Sequence, residues 1–191
     1  MDFAKMINNA THDMHYTISS NHKIICTKGF PSLQFCKIQA KKLNSVVLGI
    51  GANIGTEQQI LARFWHLLCF FALHSRIFGI FTSPIYQNPP FGYVKQAHFY
   101  NALITLSTSL SLLQIYGLVF YLERKFGRGR KREFQNAPRM LDIDIIFYNH
   151  TILHRKYLKI PHGSYHNRLS VLIPLLLQCS LVDNAAHKML K

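Results

Sequence analysis

Acidic residues are scarce in this chain: Asp and Glu together number 8 among 191 residues, against 22 Lys and Arg. The formal net charge of +14 favours anionic partners such as nucleic acid, acidic lipid or nucleotide phosphates, without distinguishing between them. Because acids are so rare, two of them placed close together on one apolar segment are candidates for a function.

Cysteine pairs and long hydrophobic runs are also missing. The four cysteines, Cys26, Cys36, Cys69 and Cys179, form no C-x-x-C pair, and none lies at zinc-finger spacing with histidines. We therefore expect reduced thiols in a cytoplasmic protein. The longest apolar stretch, residues 64–73, is far shorter than the roughly 20 residues of a membrane span, and the first residues lack the apolar region of a signal peptide. No membrane partner is expected.

The hydrophobic pattern predicts alternating strands and helices. The run "VVLGI" indicates a buried strand, Thr56 a helix N-cap, and "SRIFGIFTSPIY" and "FYNALITLST" the second and third strands. A second helix is predicted to begin at Ser109 or Ser111, "LDIDIIFY" is the fourth strand, and residues 168–179 form a further helix. This order is typical of a ferredoxin-like βαββαβ sandwich, so the predicted class is α+β, with an additional C-terminal helix.

Two aspartates lie on one face of the fourth predicted strand. Asp142 and Asp144 stand at positions i and i+2, so their side chains point the same way, with Cα atoms about 6.5 Å apart, while Leu141, Ile143 and Ile145 face the other side. Neighbouring carboxylates repel each other unless cations compensate, and oxygen ligands suit Mg²⁺. The pair therefore predicts a metal site. The alternative is an exposed sheet face that carries two ordinary acids.

A third carboxylate belongs to the second predicted helix. Glu123 falls on the apolar, core-facing stripe of that helix, which suggests that it points towards the sheet. The alternative is a glutamate at the helix end that pairs with Arg124 or Lys125.

A basic loop separates Glu123 from the aspartates. It holds Arg128, Arg130, Lys131 and Arg132, and Arg139 directly precedes the strand. Arginine binds phosphate oxygens through a planar donor fork, and carboxylates with Mg²⁺ plus arginines on a loop are the parts of a phosphoryl-transfer site. We predict that the loop from residue 127 to 139 orders over a bound nucleotide; the alternative is a solvated basic loop.

Six segments, taken in order, resemble the hydroxymethyl-dihydropterin pyrophosphokinase (HPPK) family of folate biosynthesis. They are "GIGANIG", "SPIYQNPPFG", "FYNALITLSTSL", "FGRGR", "APRMLDIDIIFYN" and "IPHGSYHNRLSVLIPL". The PR-x-x-D-x-D pattern is the most specific of these. The resemblance implies transfer of pyrophosphate from ATP to the hydroxymethyl group of 6-hydroxymethyl-7,8-dihydropterin, which gives AMP and the pterin diphosphate, with ATP as co-substrate and two Mg²⁺ ions.

The resemblance also implies roles for individual residues. It makes Asp142 and Asp144 the ligands of both metal ions and gives catalytic roles to these two together with Arg128 and Arg139. The residues implied to contact ATP are Glu123, Arg128, Arg130, Arg139, His162 and Arg168. Those implied to line the pterin pocket are Asn53, Asn88, Pro89, Pro90, Phe91, Phe99 and Asn101.

The resemblance divides the chain into a catalytic domain, residues 45–191, and an N-terminal extension, residues 1–44, which is predicted to hold a strand or hairpin and to be dispensable for the chemistry. Some residues depart from the family pattern. Ser170 stands where a second aromatic ring commonly clamps the pterin, and Phe99 where tyrosine is often found. Gln135 replaces a residue that is usually basic, and Gly163 a bulkier one.

Two alternatives come from other classes. A basic ferredoxin-like sheet is also found in RNA-binding proteins, but these carry aromatic residues in a K/R-G-F/Y-G/A-F-V-x-F/Y block that is missing from the predicted strands here. An inactive homologue is the second alternative, and the intact Asp142, Asp144 and Arg139 argue against it. We therefore expect a monomer that binds ATP and a reduced pterin, and neither nucleic acid nor membrane.

Overall fold

The structure, a computed structural model, describes residues 13–35, 42–92, 95–127 and 137–189. The strands in these ranges are β1 (Met14–Ser19), β2 (His22–Cys26), β3 (Ser32–Phe35), β4 (Asn44–Ala52), β5 (Ile77–Thr82), β6 (Ile85–Asn88), β7 (Phe99–Thr108), β8 (Asp142–Tyr148), β9 (Leu153–His154) and β10 (Lys159–Ile160). The α-helices are α1 (Glu57–Leu73), α2 (Leu112–Lys125) and α3 (Leu169–Met189).

Eight of these strands form one antiparallel sheet. Its main path is β1-β2-β6-β7-β4-β8, and β5 joins it by pairing with both β3 and β7. The strand that opens the ferredoxin-like unit, β4, lies between the third and fourth strands of that unit, β7 and β8. The predicted α+β class and ferredoxin-like βαββαβ arrangement are therefore confirmed, with α3 as the additional C-terminal helix.

The helices α1 and α2 cover one face of the sheet. Each begins with a capping box: the side chains of Thr56 and Gln59 each accept a hydrogen bond from the backbone N–H of the other, and Ser111 and Gln114 do the same. The apolar stripes of both helices then enter the main core. Buried side chains there include Ile60, Phe64, Leu67, Phe71, Ile115, Val119 and Leu122.

The helix α3 covers the opposite face. Val171 on this helix packs with Leu103 of β7 and Ile146 of β8. Further along, Ile173 and Leu177 pack against a small cluster that includes Tyr86 of β6. The helix is longer than the predicted segment of residues 168–179, and the sheet is thus enclosed between two helical layers.

The second predicted strand is in fact two strands. It breaks at Ser83 and Pro84, where proline has no N–H to donate to a neighbouring strand. The hydroxyl of Ser83 accepts a hydrogen bond of 2.9 Å from the backbone N–H of Leu103 at this break. After it, β6 continues to Asn88, beyond the end that the sequence predicted.

The N-terminal strands lie in the same sheet as the rest. β1 and β2 form an antiparallel hairpin, β2 pairs with β6, and β3 pairs with β5. Ile25, Cys26 and Phe30 have no exposed surface. Within the ranges given above, no helix combines the length and apolar character that crossing a membrane requires.

Candidate active site

Asp142 and Asp144 begin the edge strand β8. In the register of the sheet, Asp142 pairs with Gly51 of β4 and Asp144 pairs with Gly49. On its other side, Gly51 pairs with Asn101 of β7. Their neighbours Leu141, Ile143 and Ile145 are buried in the main core under α1 and α2. The alternation predicted for this strand is therefore confirmed, and both carboxylates lie on the α3 side of the sheet.

Gly51 of β4 lies between Asp142 and Asn101 on the two neighbouring strands. A Cβ atom placed on Gly51 would lie 2.9 Å from Oδ1 of Asn101, well inside van der Waals contact. Only glycine leaves room for the Asn101 amide to lie across β4 in this position. Gly51 of "GIGANIG" thus shapes the site through the space that it leaves free.

Three cationic or ionisable side chains surround the two carboxylates. Arg139 forms an ion pair with Asp142. Nη1 of Arg168 lies 3.8 Å from Oδ2 of Asp144, and Nε2 of His162 lies 4.0 Å from the same oxygen. These contacts bring together five residues that come from two separate segments of the sequence, residues 139–144 and 162–168.

The charge balance at Asp144 favours a cation. Burial raises the pKa of Asp144 above its ordinary value, and the neighbouring Asp142 carboxylate raises it further, while His162, Arg168 and Arg139 act in the opposite direction. The ionised pair is therefore short of positive charge. Mg²⁺ is commonly held by one or two carboxylates together with substrate phosphates and water, so this donor set fits Mg²⁺.

Glu123 supports the same strand from the other side. It is 2% exposed, and its carboxylate accepts a hydrogen bond of 2.9 Å from the backbone N–H of Ile143, the residue between the two aspartates. The prediction that Glu123 points to the sheet is confirmed.

A cleft of about 440 Å³ opens beside Asp144. Its walls come from α2, β8, the β9–β10 hairpin and the segment that follows β10. Three of its lining residues, Glu123, Asp144 and His162, are among the site residues predicted from the sequence. The other lining residues that bear polar or aromatic groups were not predicted: Tyr116, Phe120, Lys156, Tyr157, Lys159 and Ser164. The basic run "HRKYLK" was the available signal, but nothing in its spacing shows that it folds over α2.

The pterin-pocket residues predicted on β6 and β7 lie side by side. Nδ2 of Asn101 donates a hydrogen bond of 2.7 Å to Oδ1 of Asn88, whose own Nδ2 donates to the carbonyl of Pro89, also at 2.7 Å. The guanidinium of Arg139 lies 5.7 Å from the centre of the Phe99 ring. Phe91, in contrast, is 90% exposed.

Asn53 uses its side chain to hold protein segments together. Its Nδ2 donates to Oε1 of Gln96 at 2.9 Å and to the carbonyl of Ala97 at 3.3 Å, and its Oδ1 accepts from the N–H of Arg139 at 2.8 Å. It is 4% exposed. Nδ2 already makes two donations, so a donation from Asn53 to a pterin would have to replace one of them, whereas Oδ1 keeps a second lone pair.

Other predicted residues lie outside the described ranges or away from the two carboxylates. Arg128 and Arg130, the expected ordering of their loop, and Gln135 lie outside the described residues. Ser170 is half-buried in the first turn of α3, and the nearby Tyr165 packs edge-on against Phe147 with ring centres 5.0 Å apart.

Comparison with known proteins connects this geometry to a family. Residues 47–179 match the model of the 7,8-dihydro-6-hydroxymethylpterin-pyrophosphokinase (HPPK) family. The 2-amino-4-hydroxy-6-hydroxymethyldihydropteridine pyrophosphokinase of Helicobacter pylori is 51% identical over 156 residues, which cover 82% of this chain and 93% of that protein. The enzyme of the same name from Campylobacter jejuni is 32% identical over 157 residues, covering 80% of this chain and 97% of the relative. The Bacillus subtilis enzyme is 32% identical over 143 residues, which cover 75% of this chain and 83% of that protein. The chain therefore belongs to the HPPK family, whose enzymes transfer a pyrophosphoryl group from ATP to hydroxymethyldihydropterin in folate biosynthesis.

Proposed function

We propose that Asp142 and Asp144 hold the two Mg²⁺ ions of the HPPK reaction, and that ATP and the pterin bind on either side of them. The observation that carries this proposal is the pair of carboxylates on one face of β8, with Arg139, His162 and Arg168 around them. When bound, the metal ions neutralise charge on the phosphates that are transferred and orient the attacking and leaving oxygens.

The ATP side is the cleft beside Asp144. Its apolar and aromatic walls suit a nucleobase, and Lys156 and Lys159 add positive charge. Arg139, His162 and Arg168 lie where the phosphates would meet the aspartates, and arginine binds phosphate through two parallel hydrogen bonds. We assign Arg128 and Arg130 to the same phosphates by resemblance to the family.

The pterin binds where β6 ends, at Asn88, and β7 begins, at Phe99. A pterin is a flat ring with donors and acceptors on its edge. The Phe99 ring offers a stacking surface, and the amides of Asn88 and Asn101 can exchange their mutual hydrogen bond for bonds to that edge. Pro89 and Pro90 stiffen the segment that follows β6. Asn101 lies in one row with Gly51 and Asp142, so a pterin bound there places its hydroxymethyl group towards the aspartates.

The reaction forms a bond between the hydroxymethyl oxygen of the pterin and the β-phosphorus of ATP. The bond between that phosphorus and the oxygen bridging to the α-phosphate breaks, AMP leaves with the bridging oxygen, and the proton of the pterin hydroxyl is released to the solvent. Such an in-line displacement requires alignment and charge neutralisation more than covalent catalysis. The contribution of this chain is to fix the pterin with the Asn88–Asn101 pair and to neutralise phosphate charge with Arg139 and Arg168.

The test of this assignment is AMP release from ATP and Mg²⁺, measured with and without 6-hydroxymethyl-7,8-dihydropterin. We expect release to require the pterin and to be lost in Asp142→Asn and Asp144→Asn variants. A salt-dependent gel-shift assay with RNA separates the alternative of a nucleic-acid-binding protein, which would bind RNA and release no AMP.

We further propose that the enzyme acts as a monomer in the cytoplasm. Cys26, Cys69 and Cys179 are free thiols, which supports a reducing compartment. Size-exclusion chromatography with light scattering tests the monomer, and a dimer mass would contradict it.

A further inference from the structure

The N-terminal hairpin, formed by β1 and β2, borders the strands that carry the pterin residues. β2 pairs with β6 in the register Lys23–Gln87, Ile24–Tyr86 and Ile25–Ile85, and β6 ends at Asn88. The hairpin therefore turns β6 from an edge strand into an internal one. It lies outside residues 47–179, which match the family model, so the family's motifs give it no role.

The first side-chain connection from this hairpin begins at His15. Its Nε2 lies 3.5 Å from Oε1 of Glu57, the first residue of α1. The other oxygen of that carboxylate, Oε2, accepts a hydrogen bond of 2.9 Å from the hydroxyl of Tyr100. That hydroxyl also accepts a bond of 2.9 Å from Nε2 of Gln87. This chain of four residues, the His15–Gln87 chain, thus reaches from β1 to both β6 and β7.

The two inner members of the chain are direct neighbours of pterin-pocket residues. Tyr100 stands between Phe99 and Asn101 on β7, and Gln87 directly precedes Asn88 on β6. Tyr100 is 8% exposed, and its burial and the Glu57 carboxylate raise its pKa well above the ordinary value. The hydroxyl therefore stays protonated and remains a donor to Glu57 throughout the physiological pH range.

The second connection begins at His22, at the start of β2. Its Nδ1 lies 2.6 Å from the hydroxyl of Tyr86, and the two rings stack with centres 5.7 Å apart and planes 15° from parallel. Tyr86 is 1% exposed and pairs with Asn101 in the register of β6 and β7. Tyr86 packs in the cluster under α3, whereas Tyr100 packs in the main core under α1 and α2. The hairpin is therefore connected to the β6–β7 pair on both faces of the sheet, through Tyr100 on one face and Tyr86 on the other.

We propose that His15 and His22 are positioning residues for the pterin half of the active site. By fixing Tyr100 and Tyr86, they hold the ends of β6 and β7, so that Asn88, Phe99 and Asn101 are preorganised for the pterin. This inference rests on the pterin site assigned above. It also replaces the expectation that residues 1–44 are dispensable. The ATP cleft is built from α2, β8 and the β9–β10 hairpin, with which β1 and β2 do not pair, so ATP binding is independent of the two histidines.

The experiment uses the full chain with His15→Ala, His22→Phe and Tyr100→Phe substitutions. We expect His22→Phe and Tyr100→Phe each to raise KM for the pterin about fivefold, the factor that loss of one ordinary hydrogen bond produces. His15→Ala should raise it about twofold, because His15 and Glu57 form a partly exposed ion pair. The Kd of ATP, measured without pterin, should stay within twofold of the unmodified enzyme. Because His15 and Tyr100 act through one carboxylate, their double variant should raise KM by less than the product of the single effects.

Two controls separate positioning from general stability. Ile25→Val removes a methyl group from a fully buried hairpin residue without touching either polar connection, so it should lower the melting temperature and leave KM for the pterin unchanged. His150→Ala changes an exposed histidine after β8 and should alter neither quantity. An equal rise in pterin KM in Ile25→Val at matched loss of stability would overturn the inference.

The Asn101→Ala variant tests the assignment of the pterin site separately from the positioning role of the hairpin. If it fails to raise KM for the pterin, the assignment of the pterin site is wrong. If Asn101→Ala raises KM while His15→Ala, His22→Phe and Tyr100→Phe retain the unmodified value, the site is correct and the positioning role of the hairpin is rejected.

Discussion

The backbone N–H of Ile143 donates a hydrogen bond of 2.9 Å to the carboxylate of Glu123. Ile143 lies between Asp142 and Asp144 on β8, the last strand on the main path of the sheet. An edge strand has N–H groups without a neighbouring strand to accept them, and a buried one must find another acceptor. The helix α2 supplies that acceptor, and in doing so fixes the backbone that carries both aspartates.

Replacing Glu123 with alanine should therefore affect both stability and activity. The buried N–H of Ile143 loses its acceptor, which costs about 1–3 kcal/mol in the free energy of unfolding. The aspartates lose their support, so turnover should fall as well. Glu123→Gln keeps an acceptor oxygen at the same position and should preserve most of the stability. Urea unfolding and AMP release measure the two effects; an alanine variant as stable as the unmodified protein would contradict this account.

Substitution of either aspartate should abolish turnover and leave the fold intact. Asp142→Asn and Asp144→Asn each remove a proposed Mg²⁺ ligand, and one electrostatic contact of this type is worth about 3 kcal/mol or more, which is roughly a hundredfold in rate. Folding should survive because the substitution relieves repulsion between two carboxylates. AMP release and circular dichroism test these outcomes. A variant that retained a tenth of the activity would show that its residue does not hold the metal.

The Asp144→Asn variant also tests the direction of a pH effect. Burial and Asp142 raise the pKa of Asp144 above its ordinary value of 3.8. Since the folded-state pKa exceeds the unfolded-state value, ionisation of Asp144 destabilises the fold, and the penalty grows as pH rises from 3.8 through the folded-state pKa. Without Mg²⁺, the asparagine variant should therefore gain stability over the unmodified protein across this range. A difference that stays constant with pH would refute the shift.

The region around the aspartates could be predicted well because its signals are local. Alternation along "LDIDIIFY" gives the faces of β8, and the 3.6-residue period of α2 gives the burial of Glu123. The cleft could not be predicted in the same way. Lys156 and Lys159 reach it because the β9–β10 hairpin folds against α2, and no periodicity within that short segment encodes the contact. The sequence signal for the β1–β2 hairpin was also weak, because His15, Thr17 and His22 interrupt the apolar pattern of its strands.

Gly51→Ala should damage the pterin site in particular. The added Cβ would lie 2.9 Å from Oδ1 of Asn101, so the Asn101 side chain must move and lose its hydrogen bond to Asn88. We expect KM for the pterin to rise about tenfold, equivalent to about 1.4 kcal/mol, with a smaller change in KM for ATP. The matched control is Gly117→Ala on α2, where nothing lies within 4 Å of the new Cβ. That variant should keep both KM values and gain about 0.5–1 kcal/mol of stability. Equal pterin KM values in the two variants would contradict the steric argument.

Asn53 offers a test of whether a residue binds substrate or joins protein segments. Its Oδ1 accepts from the N–H of Arg139, and its Nδ2 donates to Gln96 and Ala97, close to Phe99 in sequence. If Asn53 is such a joint, Asn53→Ala should raise KM for ATP through Arg139 and KM for the pterin through the segment before Phe99. Asn53→Asp keeps the acceptor for Arg139 but loses both donors, so it should raise KM for the pterin and largely preserve KM for ATP. Steady-state kinetics with each substrate varied in turn distinguish these patterns. A change confined to the pterin in both variants would instead indicate that Asn53 contacts the pterin directly.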